Sequence, residues 1–129
     1  VKDSQQTFYG SDRNVNVIGF SNANAQRAGV DDLCRFTPTA LSHVEVPQGD
    51  PGLVIVNPPY GSRIGKKKDL FALYTAFGEV MRERFTGWRV GMVTADTHLA
   101  DAAKLPWSHI SAPISHGGLK VKLFYANTL

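Results

Sequence analysis

The chain has 129 residues, 43% of them hydrophobic and 19% charged, a balance that excludes a disordered protein and allows one domain at most, with a real core. A net charge of +3 permits a nucleic-acid partner without demanding one. No apolar run reaches membrane-spanning length and no basic-apolar-small leader opens the chain, so a cytoplasmic protein without a membrane partner is expected; the single cysteine, Cys34, excludes an internal disulfide and has no Cys or His neighbour at metal-ligand spacing, so no metal is expected either.

Residues 1 to 6 are polar and carry no periodic pattern. Thr7-Phe-Tyr-Gly-Ser-Asp12 reads as a short strand running into an acidic residue, and the helix after it spans about Asn14 to Ala28, with Gly29 where a C-cap is wanted. Val17, Phe20, Ser21, Asn24, Ala25 and Ala28 fall along one side of that helix, a stripe of mainly small side chains suited to lying close on a sheet. Asp12 stands at a strand's carboxyl end, where an acid in a doubly wound fold accepts hydrogen bonds from ribose hydroxyls. Asp also serves well as an N-cap for the following helix, and the two readings are compatible.

Leu33-Cys-Arg-Phe-Thr37 reads as the next strand, and the loop from Glu45 to Pro51, with two prolines and a glycine, leads into Leu53-Val-Ile-Val56. That run is short, apolar and β-branched, as expected of a buried strand in a mostly parallel sheet, and Asn57, Pro58, Pro59 and Tyr60 close it. Ligands of open α/β sheets bind beyond the carboxyl ends of the strands, so these four residues stand where chemistry is expected. Asn57 offers a side-chain carbonyl, Pro58 keeps its backbone carbonyl while lacking an N–H, and Pro59 stiffens the chain so that both acceptors hold fixed directions. Two fixed acceptors match one NH₂ group, and Tyr60 offers a flat face to the planar ring carrying it. The plainer alternative is a strand ending in a Pro-Pro turn, with Asn57 as a local cap.

Gly61-Ser-Arg-Ile-Gly-Lys-Lys-Lys-Asp69 follows as a basic loop. Arg63, Lys66, Lys67 and Lys68 are candidates to contact phosphates near a target nucleotide; the alternative is a solvated charged surface. Asp69 is placed to cap a long helix in which Leu70, Leu73, Tyr74, Phe77, Met81 and Phe85 recur at three- and four-residue steps, and these side chains read as core. Trp88-Arg-Val-Gly-Met-Val-Thr-Ala95 is a further apolar strand, and Asp96-Thr-His-Leu opens a short helix that stops before Pro106. His98 has no partner acid or nucleophile motif near it in sequence and reads as a helix-surface histidine. In the tail His116-Gly-Gly118 lies between two β-like runs, and Leu119 to Tyr125 alternates with its lysines on one face, which predicts an antiparallel hairpin.

Tyr9-Gly-Ser-Asp-Arg13, Asn24-Ala25, Ala28-Gly-Val30, Asn57-Pro-Pro-Tyr-Gly-Ser-Arg-Ile-Gly65, Leu73-Tyr74, Phe85-Thr-Gly-Trp88 and Gly117-Gly-Leu-Lys120 together resemble the bacterial ribosomal-RNA guanine-N2 methyltransferases of the THUMP-associated group. The resemblance implies an α/β fold with a doubly wound, Rossmann-like class I methyltransferase sheet, mostly parallel and ending in an antiparallel hairpin. It implies S-adenosylmethionine as cofactor, ribosomal RNA as partner, and methylation of the exocyclic N2 amine of a guanine in large-subunit ribosomal RNA. Asn57, Pro58, Pro59 and Tyr60 would form the catalytic motif, with Asp12 and Asn57 in contact with the cofactor and the basic loop on RNA. Asn-Pro-Pro-Tyr alone is shared with adenine-N6 and protein-glutamine methylases, so those acceptors remain alternatives, as does a catalytically silent RNA-binding domain.

Two features depart from the family's pattern. No acid lies between Thr37 and Ser42 for the adenine of the cofactor, the corresponding position being Ala40. No glycine-rich motif of the Asp-Pro-x-Cys-Gly-Ser-Gly-Thr type precedes Thr7. Residues 1–129 are therefore expected to be a partial catalytic domain, from the second strand to the last, inactive alone and lacking an N-terminal part of the same protein that holds the glycine-rich motif and a THUMP domain. An absent first strand would leave unpaired backbone groups beside the strand that ends at Val56.

Overall fold

The computed structural model describes residues 4–61 and 66–129 and divides into two compact units, Val1–Pro47 and Gln48–Leu129. The first unit is a β–α–β arrangement of β1 (Phe8–Ser11), α1 (Val15–Ala28) and β2 (Cys34–Thr37), with single 3-10 turns at Asp31–Leu33 and Leu41–His43. β1 and β2 pair in parallel, from Phe8 opposite Cys34 to Ser11 opposite Thr37. Gly10 makes the packing possible, because a Cβ there would stand 2.7 Å from the Phe36 ring.

The cap of α1 is Asn14, not Asp12: the Asn14 side chain accepts the Asn16 N–H at 2.9 Å. At the other end Gly29 adopts φ 70° and donates its N–H to the Gln26 carbonyl at 3.0 Å. The buried side of α1 runs through Ile18 and Ala25, whereas Val17 and Phe20, expected on that side, are exposed. A stripe of small residues fixes a helix's rotation weakly, and the one large aliphatic side chain seven residues from Ala25 decides it.

The second unit holds β3 (Leu53–Val56), α2 (Lys67–Arg84), β4 (Arg89–Thr94), α3 (Thr97–Ala102), β5 (His109–Ile110), β6 (Ile114–His116) and β7 (Leu119–Ala126). Its strands lie in the order β3-β4-β7-β5, and β6 also pairs with β7. β3 and β4 are parallel, with Val54 opposite Val90 and Val56 opposite Met92, while β7 runs antiparallel to β4, β5 and β6. The reversed part is thus larger than the single expected hairpin. The hairpin itself is tight: His116 pairs with Leu119, and Gly117 and Gly118 take φ 54° and 81°. Two successive positive φ values suit the right-handed twist of the flanking strands and favour glycine.

α2 buries Leu70, Tyr74, Phe77, Val80 and Met81, and with Val90, Met92, Leu99 and Phe124 these make the core. The helix begins at Lys67 after Lys66, so Asp69 sits within the first turn instead of capping it, where its carboxylate favours the helix dipole. α2 approaches the end of α3 at Gly78, where a Cβ would meet the Ala103 carbonyl oxygen at 1.8 Å. Arg82 then reaches the carbonyls of Ala103 and Lys104, ending α3 with a cation. β3 closes one end of the sheet, with Leu53 42% and Ile55 70% exposed and Val54 and Val56 half-buried. The expectation of a strand buried on both faces is corrected: among the described residues the face of β3 that carries Leu53 and Ile55 is open.

Candidate active site

Parallel pairing of β3 and β4 puts their carboxyl ends, Val56 and Thr94, on one edge of the sheet. Asn57 leaves β3 at that edge exposed to solvent, and Pro58, Pro59 and Tyr60 follow half-buried. Among the described residues no hydrogen bond engages the Asn57 side chain, which leaves its carboxamide oxygen as an open acceptor. The Pro59 carbonyl is engaged instead: it accepts the Tyr74 hydroxyl of α2 at 3.1 Å.

Tyr74 Oη also lies 2.9 Å from Thr94 Oγ1 at the end of β4, and Thr94 Oγ1 accepts the Asp96 N–H at 3.2 Å. Asp96 in turn caps α3, its Oδ1 accepting the Leu99 N–H at 3.1 Å. Burial raises the Tyr74 phenol above its ordinary value of 10.0; the Thr94 hydrogen bond opposes the shift, and the charges of Asp96 and an ionised Tyr60 reinforce it. The hydroxyl therefore remains a proton donor at neutral pH. Sequence periodicity reads Tyr74 as core and Thr94 as strand. The legible signal was one hydroxyl-bearing residue in each of two otherwise apolar buried stripes, since a buried hydroxyl requires a partner.

Asp12 lies in the first unit, exposed at the carboxyl end of β1. Its Oδ1 accepts the Asn14 N–H at 2.7 Å and its own N–H donates to the Thr37 carbonyl at 3.3 Å. This turn holds the carboxylate still and leaves Oδ2 as an acceptor of the kind ribose hydroxyls need. Ala40 precedes the second 3-10 turn, half-buried, and its carbonyl already accepts the His43 N–H at 2.9 Å.

Lys66, Lys67 and Lys68 are exposed at the start of α2, and Arg63 lies outside the described residues. His98 sits exposed on α3. Among the described residues no group of His, Cys, Asp and Glu stands ready to hold a metal ion, and no helix is long and apolar enough to cross a membrane.

The sequence profile of the family described as RMKL-like, methyltransferase domain, matches residues 1–120. Ribosomal RNA large subunit methyltransferase K/L of Shewanella sp. (strain MR-4) is 40% identical over 105 residues, which are 81% of this chain and 15% of that protein. Its namesake from Psychromonas ingrahamii is 39% identical over 100 residues, 77% of this chain and 13% of that protein. The chain thus spans about 15% of the length of these relatives. Among solved structures, SMU.472 complexed with SAH superposes with a TM-score of 0.89 at 24% identity, covering 98% of this chain and 33% of that one. TrmN from Thermus thermophilus gives 0.77 at 24% identity, covering 98% and 37%. These likenesses show the fold, the α/β class I arrangement with parallel strands and a reversed end. With its fold and nearly its whole length matched, the chain belongs to the RMKL-like methyltransferase-domain family, whose methyl donor is S-adenosylmethionine.

Proposed function

We propose that this chain carries the acceptor side of an enzyme that methylates the exocyclic N2 amine of a guanine in large-subunit ribosomal RNA. The observation that carries the reading is the Asn57-Pro58-Pro59-Tyr60 turn at the carboxyl end of a parallel strand, with an unengaged carboxamide and a pinned backbone, in a chain similar to large-subunit methyltransferases.

When bound, S-adenosylmethionine supplies an electrophilic methyl group. Asn57 Oδ1 and the Pro58 carbonyl accept the two amine hydrogens, which turns the nitrogen lone pair out of conjugation with the ring. Tyr60 stacks on the base once it is extruded from its pairing. The two acceptors and the stacked ring orient the amine, and that positioning supplies most of the rate enhancement. No proton needs to leave before transfer, because the lone pair so exposed is already the nucleophile; as the nitrogen–carbon bond forms, the methyl–sulfur bond would break to leave a neutral thioether, and the methylated nitrogen would then release one of its two protons to water. Asp12 accepts from the ribose hydroxyls of the cofactor, and Lys66, Lys67, Lys68 and Arg63 approach RNA phosphates. The activity is that of the protein as a whole, with these 129 residues alone inactive: no strand-to-helix turn in the sequence is glycine-rich, so the chain by itself offers no such cradle for the cofactor's carboxylate end.

The test is transfer of a radiolabelled methyl group to large-subunit ribosomal RNA by the intact protein, followed by nucleoside analysis of the product. N2-methylguanosine is expected, and Asn57→Ala abolishes transfer while cofactor affinity changes far less. Appearance of N6-methyladenosine would reassign the acceptor, and unchanged turnover by Asn57→Ala would remove Asn57 from the chemistry.

A further inference from the structure

The Tyr74 hydroxyl poses a question that core packing does not answer. The residue has no exposed surface, and a phenol buried without partners would destabilise the fold. Its partners are the Pro59 carbonyl and Thr94 Oγ1, 15 and 20 residues away along the chain. A carbonyl can only accept, so the single Tyr74 proton goes to Pro59. Thr94 must then donate its own proton to Tyr74 Oη, and Thr94 Oγ1 receives the Asp96 N–H. Every donor in this chain is used once and all point the same way, from the turn before α3 to the loop after β3. Each bond polarises the next, which strengthens the last one.

That last bond falls where the backbone needs it. Proline fixes φ at residues 58 and 59, and a residue preceding proline has a restricted ψ, so ψ of Pro58 is limited as well. The remaining soft angle is ψ of Pro59, which sets both the direction of the Pro59 carbonyl and the placement of Tyr60. Neither proline has an N–H with which to anchor itself.

We propose that Tyr74 and Thr94 are positioning residues that lock the Pro59–Tyr60 peptide, and through it the stacking face of Tyr60 against the acceptors of the Asn57-Pro58 segment. The proposal rests on the methyltransferase reading of that segment. Burial keeps the Tyr74 proton in place across the neutral range, as the raised phenol value described above requires.

The experiment uses the intact protein labelled with carbon-13 at proline carbonyls and nitrogen-15 in tyrosine. Pro59–Tyr60 is the only Pro–Tyr step within these 129 residues, and the Pro–Tyr cross-peak that disappears in Tyr60→Phe is the one that reports this peptide. Tyr74→Phe keeps the ring in the core and removes the donor; the Pro59 carbonyl resonance should move upfield. Thr94→Val should move it the same way by less, and Thr94→Ser should restore it. In the methyl-transfer assay Tyr74→Phe should lower kcat about 10-fold with KM for RNA and cofactor within about twofold, the pattern of an interaction that matters in the transition state only. A carbonyl resonance unmoved by Tyr74→Phe overturns the bond. A moved resonance with unchanged kcat overturns the positioning role. If the wild-type protein transfers no methyl group, the functional reading fails, while the lock itself still stands or falls on the carbonyl resonance and its restoration by Thr94→Ser.

Discussion

Gly78→Ala sets two effects of opposite sign against each other. Alanine is the better helix former by about 1 kcal/mol, which would stabilise α2. Against this, the new Cβ would lie 1.8 Å from the Ala103 carbonyl oxygen, 2.6 Å from its carbon and 2.8 Å from its Cα. An ordinary carbon–oxygen contact is roughly 3.3 Å, so backbone must retreat by about 1.5 Å, well beyond what a side-chain adjustment absorbs. Forced overpacking of this kind costs about 1–3 kcal/mol, and here the same movement loosens Arg82 from the Ala103 and Lys104 carbonyls. The top of that range applies, and the net effect is a destabilisation of about 2 kcal/mol. Urea unfolding followed by far-ultraviolet circular dichroism should show the midpoint falling by about 1 M with the slope unchanged. Gly19→Ala is the internal comparison, since Gly19 lies within α1 with nothing near its would-be Cβ, and it should stabilise by up to about 1 kcal/mol. A midpoint for Gly78→Ala equal to or above the wild-type value would refute the close approach of α2 to Ala103.

Three further outcomes are expected. Asp12→Asn keeps an acceptor for the Asn14 N–H but removes the charge, so titration calorimetry of S-adenosylhomocysteine into the intact protein should show roughly 10-fold weaker binding with Tm unchanged. Replacing Lys66, Lys67 and Lys68 together by Ala should flatten the dependence of log affinity for RNA on log salt by roughly 0.7 per lost phosphate contact, and an unaltered slope would return those lysines to a solvated surface. The pH dependence of stability should carry the mark of Tyr74. Its phenol titrates higher in the folded than in the unfolded state, so above pH 10.0 the unfolded chain loses this proton first. The contribution is fully present below that pH and is lost as pH rises through the raised folded value. Tyr74→Phe should remove that part of the alkaline slope, and identical alkaline slopes in the two proteins would show that the phenol is not buried.

Much of the frame around the candidate site was legible because its signals are local. A four-residue apolar run closed by Asn57 and two prolines announces a strand end by chain stiffness alone, and the structure puts β3 over those same residues. The three- and four-residue recurrence from Leu70 to Phe85 likewise forced a buried face on α2, because a helix turns by a fixed angle per residue. Gly117-Gly118 dictated its hairpin through backbone freedom that other residues lack.

Tertiary structure decided what depends on partners distant in sequence. Ile18, not the Val17 and Phe20 side, became the buried face of α1, because the surface it meets selects among weak stripes. Leu53 and Ile55 are as apolar as their neighbours, yet they stand exposed among the described residues, since strand composition cannot say which face of a strand finds a covering layer. The bond from Tyr74 to Pro59 joins residues whose spacing carries no periodic signal, and Thr94 enters only because β4 lies beside β3. Local geometry is written in each residue's own dihedral preferences and so can be read in order. The direction in which a buried hydroxyl spends its one proton is fixed by which acceptors packing brings within 3 Å or so, and the linear chain does not contain that distance.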